Sequence, residues 1–427
     1  MGKQNFRLCA AIMLVCVLLF LRDVLGLTVD KYMIVGVIAL VELLLFQMDT
    51  AIAFYFFLIP LYVGLPGNFI TIIMMCKLLI GFILHRREYK VNYIQLYLLL
   101  ILLIVEYTHL TSANLTAIFW GIELVLLWLL LSKEQRNENI KRCVNCYLAS
   151  VAFLCMMLLL IGLKYYTFND FVSGGIRFAD MEEYWGIPIS GMILTIDPNF
   201  LGMFCIVAIS CSFSFYLQEE NKRRKKAYLL SIPYFILFGC LGLSRAFLLS
   251  LGLFILVTVF CTTKSKGRFI VRFITIIGIA FLLFGIGILA FPQLLDSLFG
   301  RFGQSDLRTL GNRTSILAEN WEGFSATIYT VLFGIGVIGS NVHFTILQYL
   351  FGVGVVGMSA LVVFLGLFAS RVVAGSRRIV AGSFVPLLMY FFISSTIPAA
   401  YPISSVFPGI VAFLVFQYMN FYPVERR

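Results

Sequence analysis

Three residues in this sequence have side chains suited to an anion or a proton at the end of an apolar run. Arg245 lies in Gly242-Leu243-Ser244-Arg245-Ala246, between two apolar stretches with almost no loop. Arg313 lies in Asn312-Arg313-Thr314-Ser315, where an amphipathic stretch begins. In that stretch Ile316, Leu317, Asn320, Trp321 and Phe324 share helical spacing. His343 follows a long segment and opens another apolar run. A guanidinium stays protonated and grips phosphate through paired hydrogen bonds. An imidazole accepts a proton near neutral pH, which suits a general base. Each residue also has a plainer reading. Arg245 fits a turn residue whose head snorkels toward water, Arg313 a solvated loop charge, and His343 a structural histidine. Position alone does not choose.

A second tier surrounds them. Asp197-Pro198-Asn199 precedes an apolar run, and this triplet suits a helix start: Asp or Asn caps well and Pro fits the first turn. Upstream lie Arg177, Asp180, Glu182 and Glu183. These acids fit a solvated loop, or partners for Arg177 or Arg245. Lys77 sits inside an apolar run. A charge there is a functional candidate by default and favours a transporter, although it also fits snorkelling or pairing with a neighbouring helix carbonyl. Charged positions within the runs are otherwise expected to be few.

Some patterns lead nowhere. Gly334-Ile335-Gly336-Val337-Ile338-Gly339 spells GxGxxG, but a dinucleotide site needs an acid about 20 residues on. None occurs between Glu322 and Glu425. Those glycines are expected to permit tight backbone packing or a broken helix. Cys143-Val144-Asn145-Cys146 is a lone CxxC without a second pair or a nearby His, so it does not read as a zinc or redox centre. The sequons at Asn114 and Asn312 are patterns frequent by chance.

The elements that must position these residues are membrane spans. Hydrophobic residues make up 61% of the 427 and charged residues 12%, against about half and a quarter in a soluble domain. That composition excludes a globular cytoplasmic enzyme, a secreted disulfide scaffold and a disordered chain. Long unbroken apolar runs also exclude an outer-membrane barrel, whose strands alternate. The fold class is all-α, a polytopic integral membrane protein of about 14 transmembrane helices (12–14). The spans lie near 8–21, 33–48, 50–64, 69–85, 93–108, 115–132, 143–163, 199–217, 227–243, 246–263, 269–291, 344–370, 378–395 and 406–421. The second and third are nearly fused. The first lacks the small-residue cleavage site of a signal peptide.

Net charge is +11. With both termini cytoplasmic, 23 Lys and Arg fall inside and 8 outside, as the positive-inside rule requires. The excess therefore needs no nucleic acid. Two segments are too long to be turns, 164–198 and 292–343, and both face outside. The chain divides into an N-terminal bundle of about seven helices (1–163), a core carrying both outer loops (164–370) and C-terminal helices (371–427).

Taken in order, several fragments form one pattern. Arg177 in an outer loop precedes Asp197-Pro198-Asn199 at a span mouth. Leu243-Ser244-Arg245-Ala246 follows between two spans. Asn312-Arg313-Thr314 and a glycine-rich stretch come next, then Asn341-Val342-His343, then Gly352, Gly354 and Gly357. This resembles the O-antigen ligase/polymerase family of bacterial envelope glycan assembly, over roughly 170–370. The resemblance implies a GT-C-like glycosyltransferase of the bacterial cytoplasmic (inner) membrane with its site at the outer face. It implies an undecaprenyl-pyrophosphate-linked oligosaccharide as donor, no nucleotide sugar, no metal and no other cofactor. It places family arginines on Arg245 and Arg313 and the family histidine on His343, with Arg177 a looser match. Asp197, Asn199 and Trp321 complete the expected substrate contacts. A chain-length regulator and a flippase are candidate partners, beside membrane lipid. Ligases carry a richer polar pattern after the histidine. Here His343-Phe344-Thr345-Ile346-Leu347-Gln348 runs quickly into an apolar span, which favours a polymerase. The alternatives are ligase-type transfer to another acceptor and a lipid-linked oligosaccharide flippase or transporter.

Overall fold

The computed structural model describes residues 3–85, 137–167, 196–263, 313–336, 344–372 and 377–394, with a few helical positions between 267 and 278 and at 411 and 415. Every regular element among them is helical. Four of these helices are long and apolar enough to cross a membrane: Gln4–Asp23, Asn139–Tyr165, Pro198–Gln218 and Ile346–Val363. Shorter apolar helices accompany them. The expected spans near 93–108 and 115–132, and most of those near 269–291 and 406–421, lie outside the described residues.

The N-terminal bundle runs α1 (Lys3–Asp23), α2 (Lys31–Leu40), α3 (Met48–Leu58), α4 (Gly67–His85) and α5 (Asn137–Tyr165). Asp30 starts α2 by accepting from the Tyr32 and Met33 amides. The expected span 33–48 is not one regular helix. After Leu40 it widens into a π turn, Val41–Leu45, and Phe46 is extended. Apolar content alone is blind to such a break. Helix α3 is buried all round from Thr50 to Leu58, as a helix without a polar face must be. Its chain continues as a 3-10 turn, Ile59–Gly64.

Polar contacts tie the helix ends. At one end Arg22 pairs with Asp23 at 2.7 Å and donates to Gly64 O at 2.9 Å, and Lys164 Nζ donates to Val24 O at 2.7 Å. At the other end Asn139 meets Asp49 at 3.0 Å and Arg7 meets Leu45 O at 3.1 Å. Helices α1, α3 and α5 thus run the same way, and α2, between α1 and α3 in the chain, runs back, as short connections require.

Helix α6 (Pro198–Gln218) is central. It packs against α5, α7 (Lys222–Leu241), α8 (Arg245–Thr262) and α12 (Arg377–Ser394). Lys141 of α5 pairs with Glu219 just past α6, and Tyr147 Oη donates to Phe204 O at 3.3 Å, so α5 and α6 run antiparallel. The Tyr234 hydroxyl of α7 reaches Ala152 O at 2.8 Å, and Ser231 meets Ser212 at 2.9 Å. An unpartnered buried hydroxyl costs about 1–3 kcal/mol, and these bonds avoid that cost. Phe247 of α8 is fully buried over Gly239, where a Cβ would come within 2.1 Å of its ring. One apolar core joins these helices to the N-terminal bundle.

A second, smaller core lies among α9 (Arg313–Ser325), α10 (Ile328–Phe333) and α11 (Thr345–Val372). Phe324 and Phe351 fill it, ring to ring at 5.0 Å. The amphipathic stretch is α9, as its spacing predicts. Helix α11 breaks at Gly354, where φ is 67°. Beside the break, Ile335 N donates to Phe351 O at 2.7 Å and Gly336 N to Gly352 O at 3.0 Å. A Cβ on Gly334 would lie 2.2 Å from Gly352 O, and one on Gly354 would lie 2.3 Å from Leu332 O. The first two glycines of the GxGxxG pattern thus serve backbone packing against a broken helix.

Candidate functional site

Two helices begin at one place. Asp197 caps α6 by accepting from the Asn199 amide at 2.6 Å, with Pro198 in the first turn. Ser244 caps α8 by accepting from the Phe247 amide at 3.4 Å. The same Ser244 hydroxyl donates to Asn199 Oδ1 at 2.8 Å. Gly202 lets the helices close: a Cβ there would meet Phe247 Cβ at 3.0 Å. The turn into α8 is tight. Leu243 adopts φ 51°, a left-handed conformation rare for a bulky residue and found where the surroundings enforce it. Its side chain is buried, as is Ser244, while Arg245 is exposed.

The electrostatics of this mouth follow from its construction. Helix N-termini carry partial positive charge and unpaired amides. Neither α6 nor α8 has an acid in its first turn. Arg245, the first residue of α8, adds a full charge to one of them. Cations disfavour that end of a helix; anions suit it. The Asp197 carboxylate and the Asn199 amide are already committed, one to a cap and the other to Ser244. Their role in the geometry is to fix where the two helices start.

The other expected residues are distributed as follows. Arg313 is the first residue of α9, so both expected arginines open helices. Trp321 is 56% exposed on α9, its ring resting on Phe351 and Phe324 at 6.0 and 5.9 Å. His343 and Arg177 lie outside the described residues, as do Asp180, Glu182 and Glu183. Of the expected set, the structure brings together Asp197, Asn199 and Arg245. Cys143 and Cys146 are buried in α5. Among the described residues no three His, Cys, Asp or Glu side chains cluster to hold a metal.

Two residues escaped the sequence reading. Ser244 is the tether between the helices, and the Ser before an apolar run is itself an N-cap signal. Glu42 is the second. It is fully buried in the π turn, and neither carboxyl oxygen has a hydrogen-bond partner among the described residues. Lys77 does not bond it. The Lys77 ammonium donates instead to Phe46 O at 2.8 Å and Leu43 O at 3.3 Å. These carbonyls lie where a helix ends within an apolar run, one in the π turn and one on extended Phe46, and Lys77 supplies donors that the backbone lacks there. The buried ionisable group that stands without a plain structural role is Glu42, so Lys77 is not the sole ionisable position within the runs.

Compared with known proteins, the chain matches no family model, no curated protein and no solved structure.

Proposed function

We propose that the chain is a membrane glycosyltransferase that polymerises undecaprenyl-pyrophosphate-linked repeat units at the outer face of the bacterial cytoplasmic membrane. One observation carries the reading. The Ser244–Asn199 hydrogen bond joins the positive ends of α6 and α8 with Arg245 exposed at the junction, which makes a setting for a phosphate group. The ordered motifs from Arg177 to His343 add the family resemblance.

In this reading the leaving group is a lipid pyrophosphate. Its departure develops negative charge, and a preorganised guanidinium beside a low-dielectric layer stabilises that charge. Arg245 takes the pyrophosphate, with Arg313 as the second cation. His343 removes the proton from the acceptor hydroxyl as it attacks the anomeric carbon. The carbon–oxygen bond to pyrophosphate breaks as the new glycosidic bond forms, and one-step attack from the opposite face inverts the configuration. Trp321 and the outer segments cover the sugars and exclude water. The acceptor is a second lipid-linked unit. Transfer to another acceptor, as a ligase does, uses the same donor chemistry.

A second reading, transport of a lipid-linked oligosaccharide, has Glu42 in its favour. Buried ionisable groups within a membrane mark ion and proton paths.

The experiment deletes the gene in its host and compares the surface glycan with extracted lipid-linked oligosaccharide. Single units displayed outside and no longer extended support a polymerase. Full-length polymer stranded on its carrier means a ligase. Unextended units trapped on the cytoplasmic side mean a flippase, and the catalytic assignment then fails.

A further inference from the structure

Helix α7 changes character along its length. Its first five residues, Lys222, Arg223, Arg224, Lys225 and Lys226, are all basic, and the remaining fifteen carry no charge. The inner face is fixed: Tyr228 bonds Asn145 at 2.9 Å, and Ser231 and Tyr234 bond α6 and α5. The outer face reads Lys222, Lys226, Leu230, Pro233 and Leu237, spaced as one helical stripe and exposed throughout. Leu230 is 59% and Leu237 57% exposed. In a membrane helix such a stripe faces lipid.

We propose that this end of α7 is a binding surface for anionic phospholipid headgroups. Two of its cations have protein partners. Lys225 lies 5.1 Å over the Tyr216 ring, and Arg224 lies in the field of Glu219. Lys222, Arg223 and Lys226 are exposed, and among the described residues their side chains make no hydrogen bond or ion pair. Lys226 stands one turn, about 6 Å, before Leu230. A headgroup layer is about 5–7 Å thick on each side of the hydrocarbon, so these cations lie at headgroup depth just beyond lipid-facing leucines. Charges that only direct insertion act from any position within about 15–20 residues of a span end, whatever face they occupy. These share a helix face with the acyl-chain contacts. The acyl chains pack along Leu230 and Leu237 while the headgroup phosphate meets Lys222 and Lys226. The inference requires a helix in lipid and is independent of the glycosyltransferase reading.

The test uses the full chain purified in phosphatidylcholine nanodiscs and titrated with phosphatidylglycerol, bound lipid being read by native mass spectrometry. Phosphatidylglycerol should be retained over phosphatidylcholine. The double variant Lys222→Gln/Lys226→Gln should bind it about 25-fold more weakly, about fivefold per cation, while Lys222→Arg/Lys226→Arg should bind it as the wild type does. Inorganic phosphate at millimolar concentration should not displace it. Equal retention of the two lipids, or unchanged affinity in the Gln variant, overturns the proposal. Displacement by inorganic phosphate also overturns it, marking a soluble-anion site. The wild-type lipid comparison and the phosphate competition decide the matter even where a variant does not accumulate.

Discussion

Ser244 and Asn199, 45 residues apart in the chain, share a 2.8 Å hydrogen bond that ties the first turn of α8 to the first turn of α6. The bond is partly buried, and its donor also caps α8. Arg245 therefore follows directly on a fixed backbone, set by the left-handed Leu243 turn and the Ser244 cap before it. Its backbone has little freedom to lose on meeting an anion; the cost that remains is the rotamer freedom of an exposed arginine, about 1.5–2 kcal/mol.

If that cation serves the transfer, Arg245→Ala and Arg313→Ala should each abolish glycan chain extension while the protein still inserts and accumulates. Gel analysis of the surface glycan and immunoblotting of membranes check both halves. Arg245→Lys should restore extension only in part, because an ammonium lacks the planar fork. His343→Ala should slow extension without stopping it, since positioning carries part of the rate. Normal chain length in both arginine variants would remove them from the site.

Ser244→Ala removes a cap and an interhelix bond together. The expected loss is about 1–2 kcal/mol, read as a lowered thermal midpoint. In a double-mutant cycle with Asn199→Ala the two effects should fall short of additivity, because each variant breaks the same bond. Full additivity would mean that the two side chains act separately.

The crossing at Gly334 and Gly354 tolerates no side chain. Both have positive φ, 83° and 67°, and in each case the nearest atom to an added Cβ is a backbone oxygen. Gly354→Ala and Gly334→Ala should each destabilise the α10–α11 unit by more than about 2 kcal/mol, combining backbone strain with a clash. Gly366→Ala is the control, since a Cβ there meets nothing within 4 Å. Limited proteolysis of membranes should show faster cleavage in the first two variants alone.

Glu42→Met replaces two buried oxygens that accept no hydrogen bond among the described residues with an apolar side chain of similar length. If Glu42 has no function, the thermal midpoint should rise or hold and glycan extension should be normal. A stable variant that loses extension or export makes Glu42 functional. Lys77→Met should lower the midpoint instead, because it strands the carbonyls of Leu43 and Phe46.

Acid stability has a definite sign at Glu219. Burial alone would raise this carboxyl, but hydrogen bonds from Lys141 and the Asn221 amide outweigh it and hold it below the usual glutamate range. A depressed carboxyl stabilises the fold above the unfolded value of about 4.3, and the contribution fades as pH falls through the lower folded value. Between about pH 6 and about pH 3 the thermal midpoint of Glu219→Gln should fall less than that of the wild type. Parallel pH profiles would contradict the pairing.

Much of this architecture is legible in the sequence because its causes are local. Apolar runs read as helices because a lipid layer leaves the backbone no other way to satisfy its own hydrogen bonds. Asp197-Pro198 marks a helix start because the cap is made with an amide two residues on. The spacing from Ile316 to Phe324 predicts α9 because one face of a helix repeats every three or four residues. The GxGxxG stretch reads as close packing because glycine alone admits a backbone so near.

What only the tertiary structure decided concerns partners far apart in the chain. Nothing near Asn199 says that its side chain meets Ser244. The π turn and extended Phe46 interrupt an apolar run whose composition is uniform, with Lys77, 31 residues beyond Phe46, supplying a donor to the broken end. Glu42 lies inside because the helices around it close on that face, and hydropathy averaged along a chain contains no facing direction. Gly354 breaks α11 where the backbone amides of Ile335 and Gly336 take the carbonyls of Phe351 and Gly352. Local chemistry determined that helices form and where several begin. Which faces meet was set by packing across the bundle, because that depends on side chains from several helices at once.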